Sequence, residues 1–157
     1  ELNCSLDLAN NQLVRKEYCH IGVAVDTPRG LLVPVIREVD RKSVVQLARE
    51  LAELSARARA GKIAPEEMQG GCFTITNLGG LGGTAFTPIV NFPEVAILGL
   101  ARTQPELALI EGEVRSRPML PLCLSYDHRA IDGANAARFT RRLAELLEEP
   151  GLLLLIG

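Results

Sequence analysis

The chain has 157 residues, 47% hydrophobic and 4% aromatic, with a formal net charge of -2. That is enough material for one domain with a real core, while the absence of a basic excess and the scarcity of aromatic rings argue against a nucleic-acid surface. No apolar run approaches the roughly 20 residues that a membrane helix needs, so no membrane partner is expected.

The sequence opens at Glu1 rather than at methionine and carries no secretory-type leader, so a preceding segment is expected. From Cys19 to Arg37, CHIGVAVDTPRGLLVPVIR holds two Val/Leu/Ile-rich runs around Asp26, Pro28 and Gly30, the punctuation of a hairpin. Ser43 with Gln46 makes a capping box, and Val44, Leu47, Leu51 and Leu54 recur at helical spacing, which predicts a helix ending near Arg59 before Gly61. Pro65, Glu66 and Glu67 predict a short helical turn. Phe73 to Thr76 alternates like a strand and Val95 to Leu100 reads as a fully buried one, with a glycine-rich crossing between them. Arg117 to Tyr126 reads as one more strand, covered on both faces. From Ala134, a stripe of Ala136, Phe139, Leu143, Leu146 and Leu147 predicts a second helix. The closing GLLLLIG is a greasy tail that wants a partner surface.

Several groups invite chemistry. The four cysteines, Cys4, Cys19, Cys72 and Cys123, lack metal-ligand spacing and read as buried thiols in a reducing compartment, and no metal is expected. Gly79, Gly80, Gly82 and Gly83 lack the lysine of a phosphate loop and read as a sharp turn or close backbone approach. His20 reads as a core histidine without chemistry. Ser125, Asp127 and His128 lie too close along an extended run to align as a nucleophilic triad. His128 is placed where a strand gives way to a loop and helix, a position that can present a general base. By spacing alone, however, a boundary histidine followed by Asp132 as an N-cap is the more frequent arrangement.

The stretch LSYDHRAIDGANAARF resembles the active-site signature of the 2-oxo acid dehydrogenase acyltransferases, with its HRxxDG as His128, Arg129, Asp132 and Gly133. HIGVAVDTPRGLLVPVIR, GGCFTITNLGGLGGTAFTPIVNFPEVAILG and the PLCLSYDH strand match in order, so the resemblance runs over nearly the whole chain. It implies an α/β fold, a chloramphenicol-acetyltransferase-like mixed sheet with flanking helices. It also implies acyl transfer between a dihydrolipoyl thiol and coenzyme A, both as substrates, with His128 as general base and the Thr76 hydroxyl as oxyanion donor. Asp132 is implied to orient the loop with Arg129 as an ionic partner, and Asn77 and Phe86 to lie near the channel where the two thiols meet. Asp127 receives no role.

Threonine at position 76 departs from the serine of many acetyl-transferring members and matches succinyl-transferring ones, so the acyl group rests on FTPIVNFPEVAILG and DGANAARF, which look most like the pyruvate dehydrogenase branch. Succinyl or branched-chain transfer, or an inactive cage component, are the alternatives; an antibiotic acetyltransferase is disfavoured by the matches outside the histidine motif. The resemblance further implies homotrimers with Thr76 of one chain facing His128 of a neighbour, assembly into a larger cage through the C-terminal tail, and partnership with lipoyl domains, the decarboxylase and dihydrolipoyl dehydrogenase. The expected compartment is bacterial cytoplasm, or mitochondrial matrix in a eukaryote. The resemblance implies that residues 1–157 correspond to the C-terminal part of the catalytic domain. The family's earlier channel-forming elements, lipoyl domain and peripheral-subunit-binding domain are not among them, which implies weak activity for these residues by themselves.

Overall fold

The computed structural model describes residues 2–110 and 112–155. A mixed five-stranded sheet organises them, in the order β11-β8-β7-β3-β6. Its strands are β3 (Ile21–Val23), β6 (Val35–Ile36), β7 (Phe73–Asn77), β8 (Ala96–Leu100) and β11 (Leu122–Tyr126). The inner pairs β3/β7 and β7/β8 run parallel, whereas β11/β8 and β3/β6 run antiparallel. Three two-stranded ribbons are added: β1 (Cys4–Asp7) with β2 (Gln12–Arg15), β4 (Val25–Thr27) with β5 (Gly30–Leu32), and β9 (Gln104–Ile110) with β10 (Glu113–Met119).

The expected hairpin is present but divided. Residues 25–32 form the tight β4/β5 ribbon, while β3 and β6 enter the main sheet on either side of a break at Ala24 and at Val33–Pro34, since proline has no N–H for a ladder. The single strand expected over Arg117 to Tyr126 is corrected to two. Pro118 lies near the end of β10, which is exposed throughout, and Pro121 sits in the break before β11, which is half-buried. Two ribbons lay outside the sequence reading. In one, Asn11 takes a left-handed φ of 52°; in the other, Gly112 has φ 83°.

Helix α1 (Val44–Arg59) begins at the expected capping box: Ser43 Oγ accepts from Gln46 N–H at 3.3 Å and Gln46 Oε1 accepts from Ser43 N–H at 2.8 Å. It packs on β4 and β6 through Leu54 and Ala58, and Val44, at 79% exposure, stays outside the core that its spacing had suggested. Helix α2 (Gly133–Glu148) covers one face of the sheet, where its buried Ala136 and the Phe139 ring, 5.8 Å from that of Phe73, join Cys4, Val95, Ala96, Leu98 and Ile131. Cys4 and Cys72 are buried as expected; Cys19 and Cys123 are half-buried, and no disulfide joins any of them. His20 is not a core residue: it is half-buried just before β3, where Nδ1 accepts from Glu38 N–H at 3.0 Å and holds that residue's left-handed turn. After α2 the chain makes a helical turn at Pro150–Leu155 with Leu153 and Leu155 exposed; Ile156 and Gly157, the end of the greasy tail, lie outside the described residues.

Between the sheet and the β1/β2 ribbon sits a buried carboxyl group. Glu94 is 6% exposed and accepts a hydrogen bond from Thr74 Oγ1 at 2.6 Å. Burial raises its carboxyl above the ordinary carboxylate range, against smaller opposing effects from Thr74 and the charge of Lys16. The folded chain therefore holds this proton more tightly than the unfolded chain, and stability falls as pH rises above the unfolded value near 4.5. Replacing Glu94 by Gln removes that slope. The gain in unfolding free energy of Glu94→Gln over wild type, measured by urea titration, should grow from pH 4 to pH 7; a constant difference would contradict it.

Candidate active site

The histidine turn is assembled by backbone groups. Past β11, Asp127 N–H donates to Val95 O at 2.8 Å, which holds the chain against the entrance to β8, and its own carbonyl then accepts from Ala130 and Ile131 N–H at 3.0 and 3.1 Å. Ile131, 1% exposed, anchors the underside. His128 sits at the exposed apex with its ring 5.7 Å from that of Tyr126. Asp132 is the N-cap of α2: its Oδ1 accepts from Asn135 N–H at 2.8 Å and its Oδ2 from the Asn135 amide at 3.2 Å.

The expected ionic partnership is reassigned. Arg129 pairs with Asp127, through Nε at 3.0 Å and Nη2 at 2.6 Å, and leaves Asp132 to its cap. The Arg129 hydrogen bond holds the Asp127 carboxyl below its usual range, so the carboxylate to which the sequence assigned no role is the brace that closes the turn. His128, Arg129, Asp132 and Asn135 line one side of a cleft of about 310 Å³, and Leu13 and Arg15 of β2 line the other. These two residues went unread because the β1/β2 ribbon did; the Asn10-Asn11 pair between Leu/Val-bearing runs was the available turn signal.

The hydroxyl half lies at the far end of the sheet. Thr76, half-buried near the end of β7, is in register with Gly99 on the parallel strand β8. A Cβ added to Gly99 would come within 2.7 Å of Phe86 Cζ, so the ring lies directly on that glycine, one strand from Thr76. Asn77 is exposed and its Oδ1 accepts from Gly79 N–H at 2.8 Å, opening the glycine turn that ends at Gly82 with φ 89°. The glycines thus make the sharp turn that the sequence suggested. Thr76 and Asn77 share a cleft of about 510 Å³ with Asp26, Leu31, Ser55 and Arg59, whereas Phe86 opens onto a separate one beside Cys123 and Ser125.

Within one chain these halves do not meet. β11 runs antiparallel to β8, with Tyr126 opposite Ala96, while Thr76 is level with Gly99. Strand rise and spacing put Thr76 and His128 about 15 to 20 Å apart. Among the described residues, none lining the histidine's cleft carries a hydroxyl. No group of three or more His, Cys, Asp or Glu among the described residues is placed to hold a metal.

A family model for the 2-oxoacid dehydrogenases acyltransferase catalytic domain matches residues 1–155. The chain belongs to that acyltransferase family. The dihydrolipoyllysine-residue acetyltransferase component of the pyruvate dehydrogenase complex of Pseudomonas aeruginosa is 57% identical over 155 residues, which are 99% of this chain and 28% of that protein. A solved Azotobacter vinelandii dihydrolipoamide acetyltransferase superposes with TM-score 0.92 at 58% identity, over 98% of this chain and 63% of that one; a serine, a histidine and an asparagine were investigated there for their roles in the catalytic mechanism. The cubic core of a pyruvate dehydrogenase multienzyme complex superposes with TM-score 0.93 at 57% identity, with the same coverage of 98% and 63%. This acyltransferase domain also shares its fold with chloramphenicol acetyltransferase, TM-score 0.58 at 13% identity over 93% of this chain and 69% of that one, as the family resemblance had implied.

The contact between Gly99 and Phe86 is open to a direct test. Gly99→Ala should destabilise the fold by about 1 to 3 kcal/mol through overpacking against the ring. A Phe86→Ala change in the same chain should recover part of that loss, giving a non-additive double-mutant cycle in urea unfolding; strict additivity would separate the two residues.

Proposed function

We propose that this acyltransferase domain moves an acetyl group between a dihydrolipoyl thiol and coenzyme A, at a site shared by two copies of the chain. The separation of Thr76 from His128 carries the reading: each chain offers a base without a hydroxyl donor and a donor without a base. Support for the residues comes from the Azotobacter vinelandii enzyme, whose serine, histidine and asparagine stand at the same intervals along its chain as Thr76, His128 and Asp132 along this one. Here threonine keeps the serine's hydroxyl, and Asp132 keeps a side-chain oxygen to cap the helix.

In the reaction His128 takes the proton from the attacking thiol, since an imidazole can accept and return a proton near neutral pH. The thiolate adds to the thioester carbonyl, and the resulting oxyanion accepts a hydrogen bond from the Thr76 hydroxyl of the adjacent copy. Collapse breaks the original carbon–sulfur bond, and the protonated imidazole returns its proton to the departing thiolate. Asp132 and the Asp127–Arg129 brace hold the turn while this occurs. The pyruvate dehydrogenase names of the relatives favour acetyl over succinyl or branched-chain groups.

Two experiments on the assembled protein test the site. His128→Ala should abolish transfer while leaving particle size unchanged; survival of transfer would refute the mechanism, and a wild type without transfer would leave only a cage component. Thr76→Ala should lower kcat about 10²- to 10³-fold, with Thr76→Ser close to wild type. Trimers reassembled from equal amounts of the His128→Ala and Thr76→Ala chains should regain activity in about one quarter of their sites, the fraction that random assortment gives for sites shared between neighbours. No recovery would place both residues of each site in one chain.

The reading extends to assembly into a larger core, with lipoyl domains, the decarboxylase and dihydrolipoyl dehydrogenase as partners. The exposed Leu153 and Leu155 supply a contact between trimers, each contributing about 1.5 to 3 kcal/mol on burial before ordering costs. Deleting residues 152–157 should reduce the particle to trimers in light scattering; an unchanged particle would remove the tail from assembly.

A further inference from the structure

We infer that Glu94 is a positioning residue that ties together the two half-sites each chain supplies, an inference resting on the shared-site reading above. Its carboxylate grips β7 through Thr74 Oγ1, two residues before Thr76. Its own N–H donates to Asn91 O at 2.9 Å, and the carbonyl of the next residue, Val95, accepts from the N–H of Asp127, the residue before His128. A bridge to Ser5 fixes it to the β1/β2 ribbon, the same ribbon whose Leu13 and Arg15 wall the histidine's cleft. Glu94 therefore contacts the strand of the hydroxyl and the ribbon that faces the base, and its chain neighbour Val95 holds the turn of the base.

The space for this carboxylate is provided by neighbours without side chains. A Cβ on Gly71 would stand 2.5 Å from Glu94 Oε1, and one on Gly22 would stand 2.8 Å from Thr74 Oγ1. Lys16, reaching in from the end of the ribbon, donates to Gly71 O at 3.0 Å, and its charge is felt at both Glu94 and the buried Cys72 thiol. An apolar residue here would avoid the desolvation of a carboxyl group. What it would lose is the directional hold on Thr74, whose hydroxyl is fully buried. Small displacements of groups that support a reacting centre cost large factors in rate, about 10²-fold for roughly 1 Å.

The test uses the assembled protein. Glu94→Gln keeps an acceptor oxygen for Thr74 and should hold kcat within about threefold of wild type, whereas Glu94→Leu should lower kcat about 10- to 100-fold with KM for the acyl thioester and for the accepting thiol nearly unchanged. Thr74→Val removes the same hydrogen bond from the other side and should give the same kcat loss, so the outcome does not hinge on whether Glu94→Leu folds. Placing Glu94→Leu first on the Thr76→Ala chain, which supplies only the base, and then on the His128→Ala chain, which supplies only the hydroxyl, reads each half separately; both placements should depress the recovered activity. Intact trimers with unchanged kcat in Glu94→Leu and Thr74→Val would overturn the role. Failure of the His128→Ala and Thr76→Ala pair to complement with Glu94 in place would instead overturn the shared site, and the kcat values of the unmixed Glu94 and Thr74 variants would still decide the role of Glu94.

Discussion

The turn from parallel to antiparallel pairing at β8 decides where the chemistry of this domain can be. β7 and β8 run together, so Thr76 emerges at their common C-terminal end. β11 returns beside β8 in the opposite sense, so the turn carrying His128 emerges at the other end. Strand geometry allows no local rearrangement that would unite them, because each is fixed by a ladder whose register slip would reverse every side chain from one face to the other. The covered face of the sheet shows what that slip would cost. Phe73, Ala96 and Leu98 face α2 and its Phe139, while Thr74 and Thr76 alternate to the opposite side with Gly22 and Gly99 in register beside them. One face is built for burial against a helix, and the other sets Gly22, Thr74, Thr76 and Gly99 among the buried Val35 and Ile97.

The parts of this architecture that were legible in the sequence are those written in local pattern. The capping box at Ser43 and Gln46, the uninterrupted Val95 to Leu100 run, and the stripe beginning at Ala136 each encode an element without reference to distant residues. The β9/β10 ribbon was missed because its strands carry charge and proline through the alternation and make few contacts beyond each other, so burial leaves no periodic mark. Val44 and Leu51 misled in the opposite direction: helical spacing marked a face as apolar, but only Leu54 and Ala58 of α1 are buried. Pro121 between two apolar residues was the overlooked sign that Arg117 to Tyr126 is two strands.

The candidate site was legible as residues and not as a constellation. His128, Asp132 and Thr76 were named through resemblance, but the pairing of Arg129 with Asp127, the wall formed by Leu13 and Arg15, and the seat of Phe86 on Gly99 depend on chain segments that only folding brings together. Glu94 illustrates the limit well. Sequence shows a carboxylate in the middle of NFPEVAILG, and nothing in its neighbours along the chain announces a buried hydrogen bond to a threonine 20 residues earlier.

Asp132 caps α2 one residue before the helix begins and four after His128. A cap is among the weaker bonds of a folded domain, since helix ends open and reclose far more often than the whole structure unfolds. The same opening that frays the first turn of α2 loosens the loop that presents the imidazole. Heating would therefore erode turnover gradually, through the rising fraction of time the first helical turn spends undone, well before the sheet itself gives way. Under the proposed sharing of the site this loss would be felt in pairs, because a frayed turn in one chain would idle an intact hydroxyl in the next.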